Sequence, residues 1–404
     1  MSTPTSTAAK VRDEMSESRS GLLRRFLQGD LAALRVLLGL AVIWAIFQSQ
    51  NDAFLSAINL TNLMLQITGV ALISVGVVYV LLLGEIDLSV GAVSGLAAGV
   101  MAVLSVKHGW SPYLAIAAGV LTGTVIGIFQ GSIFTRFGVP SFVVTLAGLL
   151  ACQGALLYVL GDTGTVNLTD PKITGLAGTF YSDGVGWTLA VLFIGAYAGL
   201  SFWSYRKRVT AGLADQALVP VIMRVVLVAL AVVAAVAILN SDRGVPLAVL
   251  ILVGFVAGMQ YVVTRTRFGR HVFAVGGNAE AARRAGIHVN RIRIVVFAIG
   301  GSMAAVGGVL LASRLLAVNQ SSGASDLLLL AIAGPVIAGT SLFGGRGSVW
   351  SALLGALVIG SISNGMDLLA LESSVKFMVT GGVLLAAVIV DALARSQRQA
   401  EGRV

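Results

Sequence analysis

The sequence predicts an all-α integral membrane protein, a polytopic helical bundle of about 12 transmembrane helices. Three observations carry that prediction. Of 404 residues, 57% are hydrophobic and 11% charged, and mean hydropathy is +0.93; a soluble domain of this length needs far more polar surface. Apolar runs recur at roughly the 20-residue length that crosses a bilayer while satisfying its own backbone. Lys and Arg concentrate in alternate connections.

Residues 1–30 are polar and rich in Ser, Thr and charge. No small-residue cleavage site follows a short apolar core, so no cleaved signal peptide is expected. The basic, amphipathic stretch Ser20–Arg35 is read either as a helix along the membrane surface or as a solvated tail. Spans then fall near residues 33–49, 60–83, 88–106, 113–134, 139–160, 186–203, 218–239, 246–264, 293–313, 326–343, 348–369 and 374–393. With the N-terminus inside, the inside segments hold 21 of the 27 Lys and Arg and the outside segments hold five. Arg224, within the seventh span, must snorkel or pair. This parity predicts cytoplasmic tails at 1–30 and 395–404, a transmembrane domain over 31–394, and a cytoplasmic loop over 265–292. It also accounts for the +9 net charge without nucleic acid. Cys152 stands alone, and His108, His271 and His288 are scattered, so neither a disulfide nor a metal centre is expected.

Glycines recur every fourth residue at Gly91, Gly95 and Gly99, and again from Gly119 through Gly123 and Gly127 to Gly131. That spacing lines one helix face and favours close helix packing. No fixed-period repeat is visible, although an inverted repeat can hide in such a chain.

One stretch departs from the apolar background. In "GNAEAARRAGIHVNRIRI" (Gly277–Ile294), Asn278 is placed to cap a helix. Glu280 falls in the first turn, four residues before Arg284, and Gly286 is a natural stop. The expected helix has about two turns, too short to stand alone. It is read either as a docking element held by spans and a partner or as an ordinary positive-inside loop.

"EAARRAGI" within that stretch resembles the EAA signature of permease subunits of ATP-binding-cassette importers. The surrounding sequence, "LLLGEIDLSVGAVSGLAAGVMA" (Leu81–Ala102) and "VIAGTSLFGGRGSVWSALLGALVIGSISNG" (Val336–Gly365) resemble the ribose/xylose/arabinose branch. The resemblance implies that Glu280, Ala281, Ala282, Arg283, Arg284 and Gly286 form a coupling helix seated on a separate ATPase, often a tandem cassette. It also implies a periplasmic sugar-binding protein, a second permease copy, the bacterial inner membrane as location, and no enzymatic role or cofactor for this chain. No "GK" dipeptide occurs, so there is no P-loop. The surplus around residues 186–240, relative to ten-span members, resembles the D-xylose permeases, so D-xylose is the implied cargo. Branched-chain amino acid or nucleoside permeases are the near alternative; an ion-coupled secondary transporter is the alternative from another class. In one departure, Leu328, Leu329 and Leu330 stand where relatives carry Glu-Leu-Asp; Asp326 can substitute only if its helix starts a turn earlier.

Glu85, Asp87 and Ser89 lie beside a break between two apolar runs. Intramembrane acids are costly, which points to a gate or clasp. The competing reading is a helix-end turn with Asp87 capping the third span. Gln66, Gln130, Gln153 and Asn364 are further candidates for the translocation path, since amides both donate to and accept from sugar hydroxyls; bonding between helices is their commoner use. The loop Gly161–Gly186, with Asp162, Asp170 and Asp183, is read either as a binding-protein contact or as a solvated loop.

Overall fold

Each apolar run coincides with one helix. The structure is a computed structural model that describes residues 36–212 and 218–400. The expected N-terminal tail and its amphipathic stretch lie outside the described residues, as do residues 401–404. The described residues begin with α1 (Val36–Gln50), followed by α2 (Ala57–Leu82), α3 (Val90–Val106), α4 (Pro112–Phe137) and α5 (Ser141–Leu160). Next come β1 (Thr165–Asn167), α6 (Pro171–Gly178), β2 (Phe180–Tyr181), α7 (Asp183–Thr210), α8 (Leu218–Asn240), β3 (Val245–Pro246) and α9 (Leu247–Arg265). Then follow α10 (Arg267–Gly277), α11 (Ala279–Arg284), α12 (Val289–Leu315), β4 (Ala317–Asn319), α13 (Ser325–Ile337), α14 (Trp350–Leu368) and α15 (Ser373–Ala400). Eight described helices are long and apolar enough to cross a bilayer; α1, α3 and α13 are apolar but shorter.

Two boundaries differ from expectation. The tenth run was expected to be helical to residue 343, yet α13 stops at Ile337. Pro335 lies near its end, and Gly339 takes φ +94. The Gly339 and Thr340 amides then bond back to the Val336 and Pro335 carbonyls (3.0 and 2.9 Å), closing the helix. At the other terminus, α15 runs to Ala400, beyond the expected end of the twelfth apolar run at residue 393.

Between helices in lipid there is little hydrophobic drive, so backbone proximity decides packing. Two long helices, α2 and α12, run antiparallel through the centre, with Gly69 against Gly307 and Gly76 against Gly300. The glycine stripe of α4 is buried. Its members Gly123, Gly127 and Gly131 lie against α12 at Gly301, Phe297 and Ile294, and Gly119 lies against Ala97 of α3. On α3, Gly91 and Gly95 meet the link Ser322–Ala324, and Gly99 meets Leu156 of α5.

These contacts reveal the hidden repeat. Most of the packing of α2–α5 has a counterpart in α12–α15. Packing of α3 and α4 on α12 corresponds to packing of α13 and α14 on α2; α3 on α4 and α5 corresponds to α13 on α14 and α15. Because α2 and α12 are antiparallel, the halves have inverted topology.

The remaining elements trim this core. Few residues of α7 and α8 are buried, and the two helices pack chiefly on each other. At one end of the bundle β1 pairs antiparallel with β4, and β2 with β3. There α6 is pinned by Ser313 Oγ, which accepts from the Ala177 amide (2.9 Å) and donates to the Thr174 carbonyl (3.0 Å). Much of the Gly161–Gly186 segment is thus an ordered cap, with Asp170 as the N-cap of α6. The opposite end carries α10 and α11.

A Cβ at Gly127 would strike the backbone of Phe297 and Ala298, whereas one at Gly154 meets nothing within 4 Å. Gly127→Val should destabilise the fold by about 1–3 kcal/mol through overpacking. In detergent this appears as a lowered melting temperature, with Gly154→Val melting near the parent.

Candidate functional site: the docking loop and the broken-helix linker

The charged loop is built from two helices. Thr266 caps α10 by accepting from the Gly269 amide (3.2 Å), and Val272 and Val275 are buried on its inner face. Sequence reasoning missed α10 because its apolar stripe is short and lies among arginines. Asn278 then leaves helical geometry (φ −160, ψ 101), and its Oδ1 accepts from the Ala281 amide at 2.9 Å, as expected of a cap. The helix that follows spans six residues, short of the two turns expected, because Ala285 already leaves helical geometry. Gly286 takes φ +83. Its amide bonds to the Arg283 carbonyl and the Ile287 amide to the Ala282 carbonyl, each at 3.0 Å, which is the Schellman closure.

Burial divides α11 sharply. Ala282 is 5% exposed and joins the main hydrophobic core. Glu280, Ala281, Arg283, Arg284 and Gly286 are exposed. Glu280 pairs with Arg283 (2.7 Å) and Arg284 (3.3 Å); exposed pairs of this kind contribute a few tenths of a kcal/mol. Beside them opens a hollow of about 510 Å³, lined by Arg283, Gly286, Ile287, His288, Val289, Asn290 and Arg291. The arrangement presents a small, charged relief anchored by one alanine.

The second cluster is the linker between α2 and α3. Gly84 (φ +74) lies against Phe343 and Gly344, where a Cβ would crowd the backbone. The Leu82 carbonyl accepts from the Gly345 amide (2.9 Å), and Gly276 of α10 packs on that same carbonyl. Three chain segments therefore meet backbone to backbone. Glu85 pairs with Arg293 near the start of α12, Oε1 to Nη2 2.9 Å, and the guanidinium lies over the Phe134 ring of α4 (5.4 Å).

Asp87 is buried. Its Oδ1 accepts from both the amide (2.8 Å) and the hydroxyl (2.7 Å) of Ser89. Burial pushes this carboxyl above the usual range, and the Ser89 bonds partly offset the shift. Ser89 holds the N-cap position of α3 with no side-chain bond into it, and Asp87 accepts from the Ser89 amide two residues on. Ser89 Oγ also lies 3.1 Å from Gln130 Oε1 of α4. From α5, Thr145 Oγ1 accepts from the Leu88 amide at 3.1 Å.

The structure therefore gathers Glu85, Asp87, Ser89 and Gln130 into one linker cluster and leaves the other candidates apart. Gln66 faces a hollow of about 70 Å³ between α2, α13 and α14, with Leu330, Ile359 and Ser363. Asn364 is paired reciprocally with Asn59 (2.8 and 3.0 Å), clamping α14 to α2. Gln153 is half-buried on α5. Asp326 stands in the first turn of α13, which begins at Ser325, and its side chain is exposed. Arg293 and Asn59 were missed, since each finds its partner in the other half of the chain. Among the described residues no group of His, Cys, Asp and Glu could hold a metal.

Left-handed geometry at Gly286 makes one prediction. Gly286→Val should strain the turn by roughly 1–3 kcal/mol, and amide exchange across Ala285–Ile287 should accelerate. Gly286→Asn, better tolerated at positive φ, should leave exchange nearly unchanged.

Comparison with known proteins adds the lineage. Residues 59–388 match the family described as branched-chain amino acid transport system / permease component. The chain is 39% identical to the xylose transport system permease protein XylH of Escherichia coli, covering 89% of this chain and 92% of the relative. For the Haemophilus influenzae protein of the same name the figures are 37%, 90% and 96%. The ribose import permease protein RbsC of Escherichia coli is 30% identical, covering 91% of this chain and 96% of that relative. No solved structure matches. A multi-pass helical membrane chain that matches this family over most of its length, with relatives of this identity and coverage, belongs to the branched-chain amino acid transport system / permease component family.

Proposed function

We propose that this chain is the permease subunit of an ATP-driven monosaccharide importer with D-xylose as cargo. The relatives support the cargo, since those named for xylose are 37–39% identical and those named for ribose or arabinose 30–31%. One observation carries the mechanism: α11 is capped at both ends, anchored by Ala282, and exposes Glu280, Ala281, Arg283, Arg284 and Gly286 beside an open hollow. A relief of that size, fused through a tight turn to the central α12, is suited to receive force from a partner.

In this reading the 265–292 loop and both tails face the cytoplasm, and the 31–394 domain spans the inner membrane. ATP is hydrolysed on a separate tandem-cassette chain. Two permease copies act together in lipid, and a periplasmic sugar-binding protein delivers cargo to the end bearing β1–β4 and α6. Gln66 and Gln153 line the path, Glu85, Asp87, Ser89 and Gln130 form its inner clasp, and Asn364 holds the helices that border it. Permeation of branched-chain amino acids is the second reading, favoured by the family's own description.

Vesicles containing the assembled transporter test the cargo. Uptake of labelled D-xylose should be competed by unlabelled xylose and not by leucine; leucine uptake with xylose ignored would reverse the assignment. For the coupling loop, Glu280→Ala and Gly286→Val should leave the protein folded while uptake per ATP falls. Unchanged coupled uptake in both variants would remove the loop from the mechanism.

A further inference from the structure

We propose that Arg293 and Glu85 are positioning residues that carry motion from the α11 loop to the start of α3; this rests on α11 being the ATPase-facing element. Arg293 lies near the start of α12, directly after the Gly286 turn that joins α12 to α11. Its partner Glu85 lies on the linker between α2 and α3. Both side chains are largely shielded, at 25% and 15% exposure, so the pair is screened far less than the exposed pairs of α11.

Satisfaction of the neighbouring polar groups makes this pair more than a clamp. Among the described residues, three buried side-chain atoms lack a hydrogen-bond partner, and two of them flank this linker: Arg293 Nε and Gln130 Nε2. A buried donor without an acceptor is costly. Asp87 accepts its bonds through Oδ1, and Glu85 meets Arg293 through Oε1. In this proposal a shift of the linker against α12 brings the second Glu85 oxygen to Arg293 Nε. Such a shift would give the linker a second arrangement, the property a transmitting element needs.

Among the described residues, Glu85–Arg293 is the ion pair that ties the linker to α12. A push on α11 tilts the start of α12, Arg293 moves with it, and Glu85 draws the beginning of α3. Since α3 meets the link before α13 at Gly91 and Gly95, the displacement passes into the second half of the repeat.

The test uses the complete transporter in vesicles, with ATP hydrolysis and labelled D-xylose uptake measured on the same preparation. Arg293→Gln and Glu85→Gln should each keep the ATPase bound at parental stoichiometry while uptake per ATP falls about tenfold. The exchanged pair, Glu85→Arg with Arg293→Glu, should recover uptake per ATP to within about threefold of the parent. Parental uptake per ATP in the single variants overturns the proposal. So does a swap as uncoupled as the singles, or a single variant that no longer assembles, which would make the pair a fold clamp. Glu280→Ala, run alongside, separates the two readings: if it uncouples and Arg293→Gln does not, the docking role of α11 stands and the transmission role falls.

Discussion

The architecture depends on how closely α2 and α12 approach. Backbone meets backbone at Gly69 with Gly307 and at Gly76 with Gly300. In lipid the surrounding solvent is as apolar as a leucine side chain, so association comes from such contacts and from hydrogen bonds made where no water competes. With the two rods in place, each half wraps the other's central helix, and α3 and α13 fill equivalent places. Both are short helices that pack on their own half as well as on the other half's central helix.

A rigid centre also explains why the functional elements sit where they do. The α12 helix is tied to α11 at its start and to α6 and β4 at its end. The linker between α2 and α3 is polar because it lies at the joint, where side chains from α4, α5 and α12 converge on a few residues.

Much of this was legible in the sequence, for physical reasons that differ between elements. Apolar runs marked the helices because a spanning segment cannot borrow hydrogen bonds from its surroundings. Asn278 and Gly286 announced the ends of α11 because capping is local, decided by residues within one turn. The short stripe Val272–Val275 was not legible as a helix amid its arginines. Nor were the Glu85–Arg293 and Asn59–Asn364 pairs, since each joins distant parts of the chain and nothing in either neighbourhood names the other. The inverted repeat was invisible for a similar reason: it is conserved as packing between α2–α5 and α12–α15, with no fixed period in the letters. Candidates for the translocation path looked alike in sequence, all amides in apolar runs. Only their partners separate Asn364, which is fully engaged, from Gln66, which faces a hollow.

The β2–β3 pair has an architectural consequence. Phe180 lies opposite Pro246 and Tyr181 opposite Val245, so the chain departs toward α7 and returns from α8 at adjacent points. The two helices hang from a closed stem, like a side room with a single doorway. Removing the room would leave the doorway's jambs already touching, and the corridor of helices behind it would keep its course. The length of chain between β2 and β3 is thereby set apart from the course of the doubled core.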